Sequence, residues 1–389
     1  MATQRLQELL EKKEAERRRL GYADTLAEIL RQASLWPEAE AAVETRAEEL
    51  RVFLGSDPLL LSGAGSSHYV SMSIVPSLRR AGFEAEAIPS TEILLDPESA
   101  LPRRPFTLVS FARSGNSPEG VEVCRLAEKL RPGFVRQLAI TCNSEGALAR
   151  FIAGLSRGKI LLMPPDSNDR SLVMTSSFTS MVVAGLALGR LASRAGFKGR
   201  AAAVSEALEP RLEALSEFAR AFVEARPARL FVLAPRPCLG GAFEAQLKVQ
   251  EMSAGAIMAR AEDSLGFRHG FMAAVDSKTA ILLYLSGDPH RRRYELDLLV
   301  ELRAKRLGSP LALVVVGPAG SAHMAPGELL LELGPELGDE EAGLALAMVG
   351  QFIGLHAALN LGLSPDNPSP GGVINRVVQG VNIHEWPEA

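Results

Sequence analysis

Cysteine is scarce in this chain, with three residues in 389 (Cys124, Cys142, Cys238). They are far apart, form no C-x-x-C pair and share no Cys/His cluster at metal-ligand spacing. They are expected to be buried structural thiols of a reducing compartment. A basic surplus is also missing: 42 Lys and Arg against 46 Asp and Glu leave a net charge of -4, with the cationic residues dispersed. That gives no footprint for nucleic acid or for an anionic membrane. The most apolar segment noted after the N-terminal region, Met181 to Leu188, is too short for the ~20 residues of a membrane-spanning helix. The first residues, M-A-T-Q-R-L-Q-E-L-L-E-K-K-E-A-E-R-R-R, are charged throughout, unlike a signal peptide. Nucleotide motifs are missing too, since neither G-x-x-x-x-G-K-[ST] nor G-x-G-x-x-G occurs at the glycine-rich turns. The expectation is a cytoplasmic protein that handles a small molecule, without nucleic acid or membrane.

What is present is the composition of a globular protein, 47% hydrophobic and 23% charged, long enough for about two or three domains. Residues 1–53 read as a helical segment, with Leu26, Ile29, Leu30, Val43, Leu50 and Phe53 at roughly helical spacing and a break at Trp36-Pro37. L-L-L-S-G-A-G-S-S-H (Leu59 to His68) then reads as a buried strand running through a Gly/Ser turn into a helix. The same grammar recurs at F-T-L-V-S-F-A-R-S-G-N-S (Phe106 to Ser117), R-Q-L-A-I-T-C-N (Arg136 to Asn143) and K-I-L-L-M-P-P (Lys159 to Pro165). Short continuous apolar runs alternating with helical segments indicate a parallel sheet covered on both faces.

The pattern restarts at R-L-F-V-L-A-P-R-P-C-L-G-G-A-F-E (Arg229 to Glu244), A-I-L-L-Y-L-S-G-D-P (Ala280 to Pro289) and L-A-L-V-V-V-G-P (Leu311 to Pro318). The fold class expected is therefore α/β, with two doubly wound, flavodoxin-like parallel-sheet subdomains in tandem after a helical lead-in. They are placed at residues 54–200 and 201–389, with a seam near Phe197 to Glu217. A last helix around Glu340 to Leu361 leads to D-N-P-S-P-G-G-V-I-N-R-V-V-Q-G-V (Asp366 to Val381), too apolar for a disordered end and expected to pack back on the body.

In open α/β sheets ligands bind beyond the carboxyl ends of the strands. Gly63, Gly65, Ser66 and Ser67 fall there after the first strand, and Arg113, Ser114, Asn116 and Ser117 after the second. Hydroxyls, N–H groups and a helix N-terminus suit a phosphate of about -1.5 to -2 charge, although the same residues serve as ordinary caps and turns. Thr175 to Ser177, before another apolar helix, fits plain capping. In the second half, Lys248 and Glu251 are three apart and share a helix face. They read either as a surface ion pair of little weight or, with His269 in the G-F-R-H-G loop, as an acid-base set. The remaining histidines are scattered singly.

The two-unit pattern and the S-G-N-S turn resemble the sugar isomerase (SIS) domains, such as the isomerase half of glucosamine-6-phosphate synthase. F-A-R-S-G-N-S-P-E, N-D-R-S-L-V-M-T-S-S-F-T-S-M (Asn168 to Met181), S-L-G-F-R-H-G and the tail from Asp366, in that order, resemble the bacterial AgaS subfamily. That group is described as tagatose-6-phosphate ketose/aldose isomerases or galactosamine-6-phosphate deaminase/isomerases.

The resemblance implies a sugar phosphate held by Ser66, Ser67, Ser114 and Ser117, with Asn116, Arg113 and Ser176. It also implies Glu251 as the carboxylate that carries a proton between C2 and C1, Lys248 steadying charge one turn before it, and His269 opening the sugar ring from the neighbouring subunit of a homodimer. Neither metal nor organic cofactor is implied. Two positions depart from the synthase: Ala112 replaces the first serine of its phosphate turn, and Gln379 stands at its tail lysine. The function expected is galactosamine-6-phosphate deamination with isomerisation. The alternatives are a plain aldose-ketose 6-phosphate isomerase or a non-catalytic sugar-phosphate regulator.

Overall fold

The computed structural model describes residues 4–191, 199–317, 323–369 and 371–387. Phe197 at the expected seam, Pro318 and Pro370 lie outside them. The chain divides into two compact units: Met1–Ala33 with Arg170–Thr175 and Ala202–Val373, and Ser34–Asp169 with Ser176–Ala201 and Ile374–Ala389.

The latter unit holds β1 (Leu59–Ser62), β2 (Ala85–Ala87), β3 (Phe106–Ala112), β4 (Val135–Thr141) and β5 (Gly158–Leu162), in the order β2-β1-β3-β4-β5. The former holds β6 (Arg229–Ala234), β7 (Met258–Asp263), β8 (Thr279–Leu285), β9 (Leu311–Val315) and β10 (Leu329–Glu332), in the order β10-β9-β8-β6-β7. Every strand pair is parallel. Read from the other edge, the second order repeats the first, and both are the flavodoxin-like 2-1-3-4-5 winding. β3 and β8 are buried almost throughout, as strands covered on both faces must be. Each sheet has its own core, around Phe106, Leu108, Val123 and Ile152 in one unit and Leu283, Leu285, Leu298 and Leu313 in the other.

The N-terminal helical region differs from expectation at one point. The helix Ala23–Glu44 runs unbroken through Pro37. A proline cannot donate a backbone hydrogen bond and usually kinks a helix. Here Leu26, Ile29, Trp36, Ala39 and Val43 are fully buried along its length, and that packing outweighs the lost bond.

The helix Asp339–Asn360 is the one helix among the described residues long and apolar enough, by length and composition, to cross a membrane, and 94% of its most apolar 18-residue window is buried inside the protein. It is longer than the Met181–Leu188 run that stood out in the sequence. It packs closely on the helix Arg236–Met252 through small residues. A Cβ on Gly350 would fall 2.2 Å from the Cα of Ala245, and one on Gly354 would fall 2.8 Å from the carbonyl oxygen of Lys248. These glycines let two backbones approach within distances no side chain allows, which fixes the helix that carries Lys248 and Glu251.

The Asp339–Asn360 helix also buries His356, hydrogen-bonded through Nε2 to the Ser216 hydroxyl at 2.9 Å. Burial lowers its pKa from 6.5 to about 4, so the imidazole folds neutral. Between those values the unfolded chain takes up a proton that the folded chain refuses. This histidine's contribution is therefore full above pH 6.5 and is lost as pH falls towards 4, by on the order of 3 kcal/mol. Urea unfolding at stepped pH is expected to show a steeper acid loss for the wild type than for His356→Gln; parallel curves would contradict it.

Candidate active site

In the first-sheet unit, β1 and β3 are neighbours in register, with Ser62 opposite Ser110. The turns that follow them therefore emerge side by side at the carboxyl edge. After β1 the chain turns through Gly63 and Gly65 into the helix Ser66–Arg80. Gly65 has φ +54°, and a Cβ on Gly63 would lie 2.6 Å from the carbonyl carbon of Ser67. Only glycine permits this tight approach. Ser66 and Ser67 are both buried at the helix start. The buried hydroxyls of Ser62 and Ser90 have no hydrogen-bond partner among the described residues, and the Ser90 N–H donates to the Gly63 carbonyl at 2.8 Å, which ties Ser90 to the same turn.

After β3, Arg113 is buried and Gly115 has φ +64°. The Asn116 N–H donates to Ser114 Oγ at 3.3 Å, and Asn116 Oδ1 accepts from the Ala147 N–H at 3.0 Å. Asn116 is thus engaged in capping the next helix, Ala147–Ala153. Ser117 precedes Pro118 at the start of the helix Pro118–Leu130, and its hydroxyl donates to Glu119 at 2.6 Å.

Ser176 begins the helix Ser176–Arg190 and is fully buried. Its N–H and that of Ser177 donate to the Asp169 carboxylate at 3.0 and 2.9 Å, and the Ser177 hydroxyl donates to it at 2.5 Å. The anion at this helix start is the protein's own, and Ser176 and Ser177 act as caps towards it. Two residues not singled out in the sequence complete the edge, Asp169 and the tail residue Arg376. The Arg376 Nε donates to the Asp169 carbonyl at 3.0 Å, and Arg113 Nη2 donates to the Arg376 carbonyl at 2.8 Å. Burial pushes the nearby Cys142 thiol up to about 12, opposed by a bond from Ser167 and by the positive charges of Arg113 and Arg376. Ser66, Ser67, Arg113, Ser114, Asn116, Ser117 and Ser176 thus belong to one unit and to the turns and helix starts of its sheet.

In the second-sheet unit, Lys248 and Glu251 lie on the helix Arg236–Met252. They are not a surface pair. Lys248 is 1% exposed, and its ammonium donates to Glu251 at 2.5 Å. On its other side the fully buried Glu244 lies 3.4 Å away. Glu251 is the open end of this ladder, with 23% of its side chain exposed. Glu244 was legible as a residue four before Lys248 and seven before Glu251, on one helical face.

His269 follows the short turn Gly266–Arg268 and is exposed. Gly270 after it has φ +127°, and the imidazole makes no hydrogen bond or ion pair among the described residues. No hydrogen bond or ion pair joins His269 to Glu251 among the described residues. Nor do three His, Cys, Asp or Glu side chains gather as a metal would require, among the described residues.

The repeated turn after β8, Ser286-Gly287-Asp288-Pro289, mirrors Ser114-Gly115-Asn116-Ser117-Pro118, yet it is filled from within. The Asp339 carboxylate accepts from Ser286 Oγ at 2.5 Å, Tyr284 Oη at 2.9 Å, the Gly287 N–H at 3.1 Å and Arg291 Nε at 2.9 Å.

Removing one member of a buried ion cluster strands the others in low dielectric, at about 3–5 kcal/mol. Lys248→Met is therefore expected to lower unfolding stability by about 3 kcal/mol or more, and Glu251→Gln, at the exposed end, by clearly less. Equal losses in urea unfolding would contradict the ladder.

No family model matches the chain. It is 42% identical over 377 residues to the AgaS protein of Streptomyces coelicolor, covering 92% of this chain and 95% of that one. It is 34% identical over 376 residues to the D-galactosamine-6-phosphate deaminase AgaS of Escherichia coli, covering 93% and 96%. The solved structure of tagatose-6-phosphate ketose/aldose isomerase from Escherichia coli superposes with a TM-score of 0.82 at 30% identity, covering 93% of this chain and 97% of that one. With two relatives matched along nearly their whole length and the paired sheets shared with a solved relative, the chain belongs to the AgaS family of the SIS fold.

Proposed function

We propose that this protein is a phosphosugar deaminase and isomerase that converts galactosamine 6-phosphate and water into tagatose 6-phosphate and ammonia. The observation that carries the reading is the buried Glu244, Lys248, Glu251 ladder with only Glu251 open to solvent. A carboxylate held at a fixed place by a buried ammonium, with one accessible end, suits a base that must take a proton from carbon and return it.

In this reading the phosphate is held by Ser66, Ser67, Ser114 and Ser117, helped by Arg113 and by the N-termini of their helices. His269, exposed and with no side-chain hydrogen bond or ion pair among the described residues, assists ring opening, as it would in a homodimer that shares its active sites. Glu251 removes the C2 proton of the open-chain amino sugar, and the electron pair forms the enolamine double bond between C1 and C2 while O1 takes up a proton. Return of a proton to C1 moves the unsaturation to C2=N. Water then adds at C2, the C–N bond breaks and ammonia leaves, so the ketose 6-phosphate remains. Lys248 keeps the developing charge near Glu251 compensated. The three free, buried cysteines fit a reducing cytoplasm.

Without an amine at C2, the same proton shuttle gives aldose-ketose isomerisation, the activity in the name of the superposed Escherichia coli structure. Assaying ammonia and ketose phosphate separately distinguishes the two. Equal yields of both from galactosamine 6-phosphate are expected, and ketose formed only from an amine-free aldose phosphate would favour the plain isomerase. Glu251→Gln is expected to keep the fold and phosphate binding while turnover falls by about 100-fold or more, within the usual range for loss of a general base. Retained turnover would remove Glu251 from the role.

A further inference from the structure

We propose that Arg376 is a positioning residue of the phosphate cradle, delivered there by the irregular C-terminal tail; this inference rests on the phosphosugar reading above. The described tail residues of the first-sheet unit, 374–387, form no helix or strand, yet they are fastened both near the start and near the end. Near its start, Arg376 Nε donates to the Asp169 carbonyl at 3.0 Å and Nη2 donates to Asn168 Oδ1 at 2.9 Å. Near its end, Lys129 on the helix Pro118–Leu130 donates to the Trp386 carbonyl at 3.3 Å.

The first fastening joins the two parts of the cradle edge. Through its carbonyl Arg376 receives the buried Arg113, which ends β3. Through its guanidinium it holds Asn168 and Asp169, and the Asp169 carboxylate in turn holds the N–H groups of Ser176 and Ser177. A planar fork that serves two acceptors at once fixes their separation, which a lysine ammonium on a flexible stem does not.

Charge points the same way. Arg113 and Arg376 bring two positive charges to the edge that holds the Asp169 carboxylate, and both lower the Cys142 thiol that Asp169 raises. Arg113 directly follows β3, in the turn that leads to the helix start at Pro118, where a dianionic phosphate is favoured. Arg376 itself is exposed, so its place in the fold does not require it as core filling. Its carbonyl orders Arg113, which is proposed to meet the phosphate, and its guanidinium fixes the adjoining Asn168 and Asp169, so its loss should weaken phosphate binding more than proton transfer.

The test compares the full-length wild type with Arg376→Ala and Arg376→Lys. Steady-state kinetics with galactosamine 6-phosphate would be set beside the thermal midpoint shift produced by inorganic phosphate. For Arg376→Ala, KM is expected to rise about tenfold with kcat within about threefold, the signature of lost binding common to ground and transition states. The phosphate-induced shift should shrink in parallel, and added methylguanidinium should restore part of both. Arg376→Lys keeps the charge without the fork and is expected to stay near the alanine variant; it also serves if the alanine variant does not fold. Unchanged KM and phosphate shift in a folded variant, or full rescue by lysine, would overturn the role. If no sugar phosphate is turned over by the wild type, the functional reading fails and the phosphate titrations still decide on Arg376. A wild type that does not respond to phosphate overturns the inference.

Discussion

A lysine ammonium enclosed between two carboxylates, inside the packing of two helices, is the constraint on which the second-sheet unit depends. Lys248, Glu244 and Glu251 span two turns of the helix Arg236–Met252, and the first two are withdrawn from water. Burying such charges is costly unless they are paired at close range. The pairing needs the helix to be held rigidly, and the glycine-lined contact with Asp339–Asn360 supplies that, with Gly354 set directly against the Lys248 carbonyl. Packing, charge and chemistry are here consequences of one close helix contact. A looser interface would admit water around Lys248 and release Glu251 from its fixed place.

The duplicated architecture has been put to two uses. Both sheets wind in the same order and both carry a Ser-Gly turn after the third strand of the winding. In the second-sheet unit that turn closes on Asp339, whose carboxylate takes up the hydroxyl, N–H and guanidinium donors that could otherwise meet an external anion. Burial pushes the neighbouring Glu295 up to about 7, opposed by its bond from the Ser286 N–H. This turn has become internal structure. In the first-sheet unit the corresponding turn keeps Ser114 and Ser117 only partly buried, beside Ser66 and Ser67. The unit that kept an open turn is the one proposed to hold the phosphate, and the buried Glu244, Lys248, Glu251 ladder lies in the other.

Much of this was legible in the sequence because central parallel strands are covered on both faces and show as unbroken apolar runs, as in Phe106–Ala112 and Thr279–Leu285. β2, β7 and β10 escaped notice for the opposite reason. All three are edge strands, short or partly exposed, such as Met258–Asp263, without a continuous apolar signal. Pro37 suggested a break where burial of Trp36 carries the helix through. The Lys248 and Glu251 spacing was visible, but its burial depended on a helix almost a hundred residues further on. Asp169 and Arg376 stood in segments that marked the family, and their joint action needs the tail folded back, which no local periodicity encodes. The bond that Asn116 Oδ1 accepts from the Ala147 N–H likewise joins two distant turns and could not be read from local spacing.

The central claim is that Glu251, fixed by the buried ladder, carries the proton from C2 to C1. Turnover of galactosamine 6-phosphate in deuterium oxide, with the product examined by proton magnetic resonance, tests it directly. One base serving both carbons delivers hydrogen to a single prochiral position at C1 of the ketose phosphate, as solvent deuterium where the carried proton exchanges and as the substrate's own C2 hydrogen where it does not, and Glu251→Gln is expected to form product about 100-fold more slowly or worse. Deuterium scattered over both C1 positions, or product made equally well by the glutamine variant, would contradict it.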